Sequence, residues 1–132
     1  MWDALQHQHH INFFEGFHAV AVERGEDWTP IIRAIRHLQS LEAAPRLYAF
    51  TSHWRFHLTT CPAAREFKRH FLVSILWRFP DRVFHIAFGR LADGWADDRP
   101  PEQICDELAF PAVIELFIQR LLMSSSLIER RD

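Results

Sequence analysis

The spacing of hydrophobic positions along this chain changes twice, from a helical period near the start to a period of two in the middle and back to a helical period. A first helix is predicted from Asp3 to about Glu23, because its apolar residues recur every three or four positions. A second helix is predicted to begin at Thr29 and Pro30, since a threonine hydroxyl caps a free N–H and proline at the first position lacks one. Pro45 ends this second helix.

The middle of the chain, from Leu47 to Leu91, alternates β-branched and aromatic residues with polar ones, as a half-buried antiparallel sheet requires. Four strands are predicted, at residues 47–51, 54–59, 71–78 and 82–89. Pro80 and Asp81 predict a tight turn between the last two. The predicted core consists of the apolar strand positions and one helix residue: Trp54, Phe56, Ile75, Trp77, Phe84, Ile86, Phe88 and Phe117.

The remaining segments are predicted to form short helices and loops. Residues 60–67 indicate one or two helical turns, residues 93–100 a polar loop, and residues 101–108 a short helix. A longer helix is predicted at residues 111–123, followed by a frayed tail from about residue 124. Together these patterns predict one α+β domain over residues 1–132, with a four-stranded antiparallel sheet packed on one face by the N- and C-terminal helices.

Composition narrows the function classes without selecting one. A hydrophobic content of 48% predicts a folded protein, and a formal charge of -2 gives no reason to expect a nucleic-acid partner. The first residues lack the pattern of a signal peptide, and no apolar run reaches the roughly 20 residues that span a membrane. Two cysteines are too few for a disulfide framework, so we expect a cytoplasmic protein without membrane contact.

A row of cations on the predicted sheet is the first candidate site. Arg55, His57, Arg78 and His85 are predicted to point away from the apolar face, with Ser74 among them and no carboxylate in the row. Such a row predicts affinity for a small anion or for an acidic segment of a partner protein. The alternative interpretation is the ordinary solvated outer face of an antiparallel sheet.

Cys61 is the second candidate, as a reactive thiol. Its predicted place at the start of a helix, with Arg65 one turn further on, favours a lowered thiol pKa, and His57 lies four residues earlier. The alternative interpretation, which we prefer, is a small buried thiol, because the sequence shows no positioned base and orienting group.

Nine histidines raise the question of a metal site. HExxH, paired CxxC and EF-hand patterns are absent, and Glu15 with His18 forms a single Glu-x-x-His copy where a di-iron site needs two. His7, His9 and His10 are interpreted as a solvated cluster. We therefore predict neither a metal site nor another cofactor.

The helix predicted at 111–123 is apolar around almost its whole circumference, whereas a surface helix needs one apolar stripe. Leu116 and Ile118 lie on nearly opposite sides, so one should contact a partner if the other faces the core, which predicts a homodimer through this helix. The favoured function is a non-catalytic binding or protein-interaction domain, because no complete set of acid, base and nucleophile is present. The alternative is a small enzyme or a ligand- or anion-binding domain that uses the His/Arg sheet face and Cys61.

Overall fold

The computed structural model describes residues 3–62, 70–90 and 102–131, with side chains of the last helix described as far as residue 124. Three α-helices and six strands form within these ranges, together with two single 3-10 turns at Val22–Arg24 and Ala44–Arg46. In chain order the helices and strands are β1 (Asp3–Ala4), α1 (His9–Ala21), α2 (Thr29–Ser40), β2 (Tyr48–Ser52), β3 (Arg55–Thr59), β4 (Leu72–Arg78), β5 (Val83–Gly89), β6 (Gln103–Cys105) and α3 (Phe110–Arg131).

The sheet is antiparallel throughout, and every strand lies beside its neighbours in the chain, in the order β1 to β6. The predicted α+β class and antiparallel sheet are therefore confirmed, and the four predicted strands agree with β2 to β5 to within one residue at each end. The predicted number of strands is wrong, because β1 and β6 add two short edges. The helix predicted at 101–108 is also wrong, since residues 103–105 pair with β5 instead.

The hydrophobic core lies between one face of the sheet and the three helices. Phe14 of α1, Ile35 of α2 and Ile114 of α3 are completely buried in one cluster with the inward residues of the strands. Of the predicted core residues, five are buried and two, Phe88 and Phe117, are half-buried against that cluster. The five are Phe56, Ile75, Trp77, Phe84 and Ile86. The prediction fails for Trp54, which is exposed in the turn between β2 and β3.

The first helix begins later than predicted, whereas the second begins at Thr29 as predicted and differs only in its capping group. The first helix starts at His9 rather than Asp3, because Asp3 pairs with Ala49 of β2. In α2 the capping group is the Asp27 carboxylate: its Oδ1 accepts hydrogen bonds from the Thr29 backbone N–H at 3.0 Å and from the Thr29 hydroxyl at 2.7 Å. The bond from the Thr29 hydroxyl lowers the pKa of Asp27 below its usual value.

The C-terminal helix is longer than predicted. It continues to Arg131, through the stretch from residue 124 that was expected to be a frayed tail. The predicted loop at 93–100 lies outside the described residues, and so does most of the predicted helical turn at 60–67. No helix within the described ranges is both long enough and apolar enough to cross a membrane.

Candidate functional site

The predicted cation row occupies the sheet face opposite the helices, but it is not a solvated surface. Arg55 is 8% exposed, His57 is 7% exposed, and Ser74 beside them is completely buried. His85 is partly buried, whereas Arg78 is exposed at the end of β4, opposite Val83. The interpretation as an ordinary solvated face is therefore wrong for the two β3 residues.

His57 and Ser74 form a buried polar pair on adjacent strands. The two residues are opposite each other in the β3–β4 register, and the Nδ1 atom of His57 lies 2.6 Å from the Ser74 hydroxyl oxygen. Burial, reinforced by the charge of Arg55, lowers the pKa of His57 to about 4. His57 is consequently neutral near pH 7 and contributes no cation to the row.

Glu102 supplies the carboxylate that the sequence analysis did not place in this row. Its two oxygens lie 3.0 Å from Nη1 of Arg55 and 2.8 Å from Nδ1 of His85. Burial raises the pKa of Glu102, but the hydrogen bond from His85 and the charge of Arg55 outweigh it and hold that pKa below its usual value. The protein therefore provides an internal counterion at the position where an external anion was predicted, which removes the main physical motive for that prediction.

Cys61 is completely buried, and its backbone N–H donates to the Thr59 hydroxyl at 3.2 Å. Cys61 and its neighbours Thr60 and Pro62 are not helical, and Arg65, on which a lowered thiol pKa also depended, lies outside the described residues. A thiol without solvent access is poorly placed for nucleophilic attack on an external substrate. This burial agrees with the preferred interpretation of a small buried thiol.

The predicted dimer helix turns most of its apolar residues toward the protein itself. Ile118 is buried and Leu116 is 67% exposed, so the two do lie on opposite sides. Within residues 111–123, which are all described, the large apolar side chains that stay mostly exposed are Leu116 and Met123. Glu115, Gln119 and Arg120 are also exposed on this helix, so its outer surface is mixed rather than apolar.

A different surface carries exposed aromatic rings on a constrained backbone. The β2–β3 hairpin closes through two residues, His53 and Trp54, with φ angles of +52° and +66°. Two positive φ values define the turn that matches the twist of a hairpin, and Asn-Gly is its preferred sequence. Trp54 is nevertheless placed there, 44% exposed, with its ring centroid 4.2 Å from that of Phe17 and 5.8 Å from that of Phe13.

Helix α1 continues this exposed surface for two turns. Phe13 is 46% exposed, Val20 is also exposed, and Phe17 is half-buried between them. Gly16 lies on the same side of the helix, and a Cβ atom built on it meets nothing within 4 Å. We call these four residues together with Trp54 the aromatic face.

The aromatic face was not predicted, because Phe13 and Phe17 served only as evidence for the first helix and Trp54 was assigned to a strand. The sequence feature that indicates this surface is the short gap around His53, between the two segments in which apolar and polar residues alternate. A gap of that length predicts a two-residue hairpin turn, which takes Trp54 out of the strand alternation.

Three side chains at the start of the chain form a group that fits a metal ion. One ligand atom from each of Asp3, His7 and His9 lies within 4.8 Å of the other two. His10 is instead buried, with Nε2 3.0 Å from the Ala4 carbonyl oxygen; burial, followed by the charge of His9, lowers its pKa. The interpretation of a solvated histidine cluster is therefore wrong for His10. The sequence signal for this group is the spacing Asp-x-x-x-His-x-His over residues 3–9.

Comparison of the chain with protein-family models, curated proteins and solved structures finds no match.

Proposed function

We propose that this chain is a non-catalytic protein-interaction domain that associates with a second copy of itself through the aromatic face. The observation that carries the proposal is the position of Trp54. A left-handed backbone conformation costs a non-glycine residue roughly 1–2 kcal/mol, and bulky residues rarely adopt it. The protein holds a large indole there and leaves it 44% exposed, so part of its apolar surface is available to a partner.

Gly16 supports the same surface independently. Glycine inside a helix destabilises it by about 0.5–1 kcal/mol relative to alanine. The space above Gly16 is open, so packing within the chain does not require the missing side chain. A second helix that crosses α1 at Gly16 could come closer to the α1 backbone than it could if residue 16 carried a side chain. Phe13 and Val20 would lie on either side of the crossing.

A second copy of the chain is the partner that this geometry favours. A two-fold axis brings the same patch of both copies together, so one glycine and its flanking apolar residues serve both sides of the interface. Tryptophan is enriched among the residues that dominate binding energy at interfaces. Because the face consists of five residues, against roughly 20–30 residues per partner in a standard interface, we expect a transient dimer.

The test is sedimentation velocity over a dilution series from low micromolar to submillimolar protein. The wild type should show dimer that increases with concentration. Gly16→Arg should stay monomeric, because the new side chain fills the crossing point, where a Cβ atom has open space within 4 Å. The matched control is Ala112→Arg, the same kind of change at a small exposed residue of α3, which should leave the dimer intact.

Two outcomes would contradict the proposal. A wild type that is monomeric at every concentration would end the idea of self-association. A dimer that is lost in Ala112→Arg and kept in Gly16→Arg would show that the interface lies at residues 111–123, as predicted from the sequence. Circular dichroism of each variant separates these outcomes from loss of folding.

A reducing cytoplasm is the location we propose for this domain. Both cysteines, Cys61 and Cys105, are buried and carry no disulfide. Burial raises the pKa of the Cys105 thiol, with the charge of Asp106 adding to the effect, so this thiol stays protonated. Cysteines that form no disulfide are typical of proteins in compartments where glutathione and thioredoxin keep thiols reduced.

A further inference from the structure

We propose that Asp3, His7 and His9 form a binding site for a divalent transition-metal ion of the Zn²⁺ class. The site lies at the junction of β1 and α1, and its ligand set is two imidazole nitrogens and one carboxylate oxygen. This set suits borderline metals such as Zn²⁺ rather than Ca²⁺ or Mg²⁺, which prefer oxygen ligands alone.

The spacing of the ligand atoms agrees with tetrahedral coordination. Zn–N and Zn–O distances of about 2.0–2.1 Å place neighbouring ligands of a tetrahedron about 3.3–3.4 Å apart. The Nε2 atom of His7 lies 3.2 Å from Oδ1 of Asp3, close to that value. The ligand atom of His9 lies within 4.8 Å of the other two, so a movement of its side chain by at most about 1.5 Å closes the set.

The backbone that carries these ligands is held by the rest of the fold. Asp3 is paired with Ala49 of β2, and the next turn is anchored by Leu5, which is completely buried and donates its N–H to the Leu47 carbonyl at 3.0 Å. The amide of Gln39 donates to the Leu5 carbonyl at 2.9 Å. Metal ligands on an anchored backbone lose little conformational freedom on binding, which favours affinity.

His9 gives an independent reason to expect a ligand. Its Nε2 atom is buried and has no hydrogen-bond partner within the described part of the chain. A buried polar nitrogen that forms no bond costs free energy and is rare in folded proteins. Coordination of a metal would give this imidazole a bond that the described protein groups do not supply.

Three protein ligands leave a fourth coordination position. His7 is exposed, and His9 borders a surface concavity of about 140 Å³ that His10, Phe13 and Thr51 also line. Water or a small anion has access to an ion in this position. A three-ligand site with one open position is the arrangement that zinc adopts outside purely structural sites.

The experiment is a Zn²⁺ titration of the chain without an affinity tag, in competition with a chromophoric chelator. The wild type should bind one Zn²⁺ per chain, and Co²⁺ in its place should give the visible absorption of a tetrahedral complex. Asp3→Asn, His7→Ala and His9→Ala should each weaken Zn²⁺ affinity at least about tenfold, since even changes at groups behind the ligands commonly cost that much. His53→Ala is the matched control, because His53 is an exposed histidine outside the group.

Two results would overturn the proposal. The first is equal Zn²⁺ affinity in the wild type, His7→Ala and His9→Ala, which would assign any binding to other histidines. The second comes from the wild type alone and does not depend on variants that fold: the ring signals of His7 and His9 in NMR spectra should change together on addition of Zn²⁺, ahead of the signal of His37. Unchanged rings at saturating Zn²⁺ would exclude the site.

Discussion

Replacement of His53 by asparagine should stabilise this protein, although it removes a larger side chain. His53 has a φ angle of +52° in the two-residue turn between β2 and β3. Non-glycine residues pay roughly 1–2 kcal/mol for this conformation, but asparagine adopts it more readily because its short side chain bonds locally to the backbone. We therefore expect His53→Asn to raise the free energy of unfolding by about 0.5–1 kcal/mol.

Urea unfolding curves measure this gain directly, and the melting temperature should rise by about 2–5 °C. His37→Asn is the control, because His37 lies in α2 and the two residue types have similar helix propensities; it should give no gain. A His53→Asn variant that is no more stable than the wild type would show that the turn imposes no cost at this position. The strain argument for Trp54, its neighbour in the turn, would then fail as well.

His57→Gln should reduce the loss of stability at acid pH. Burial lowers the pKa of His57 from 6.5 to about 4 in the folded protein, so the unfolded chain binds this proton at a higher pH than the folded protein does. As the pH falls from 6.5 to about 4, the free energy of unfolding of the wild type should decrease by up to about 3 kcal/mol because of this group. Urea unfolding at several pH values in this range compares the wild type with His57→Gln. Phe84→Ala should cost about 3–5 kcal/mol in thermal or urea unfolding, because the ring is completely buried; Phe13→Ala, at an exposed site, should cost about 1 kcal/mol or less. Glu102→Gln should lower the free energy of unfolding by about 1–3 kcal/mol in the same assay, because Arg55 loses its counterion. An unchanged free energy of unfolding would mean that water stabilises Arg55 as well as Glu102 does.

The central strands and α2 could be predicted because their signals are local. Alternation over five to seven residues in β2 to β5 sets the inward face of each strand, and it identified Phe56, Ile75 and Phe84 as core residues. The edge strands could not be found in this way. Two residues in β1 and three in β6 are too few to show a period, and their conformation depends on backbone pairing with β2 and β5.

The errors at the candidate sites came from contacts between distant parts of the chain. Glu102 contacts His85, which lies 17 positions earlier, and no spacing rule connects the two. Without that carboxylate, the cation row suggested an unsatisfied anion site. The assignment of Trp54 to the core failed for a local reason, because a turn residue interrupts the alternation on which the assignment depended.

The most direct test of the proposed interaction surface is the concentration dependence of backbone amide signals in two-dimensional NMR spectra of the wild type. As the protein is concentrated, signals of residues 13–20 and 53–54 should shift or broaden together, while those of residues 111–123 should stay unchanged. The same residues should show no concentration dependence in Gly16→Arg. Signals of the aromatic face that stay fixed over the whole range, or changes confined to α3, would contradict the proposal.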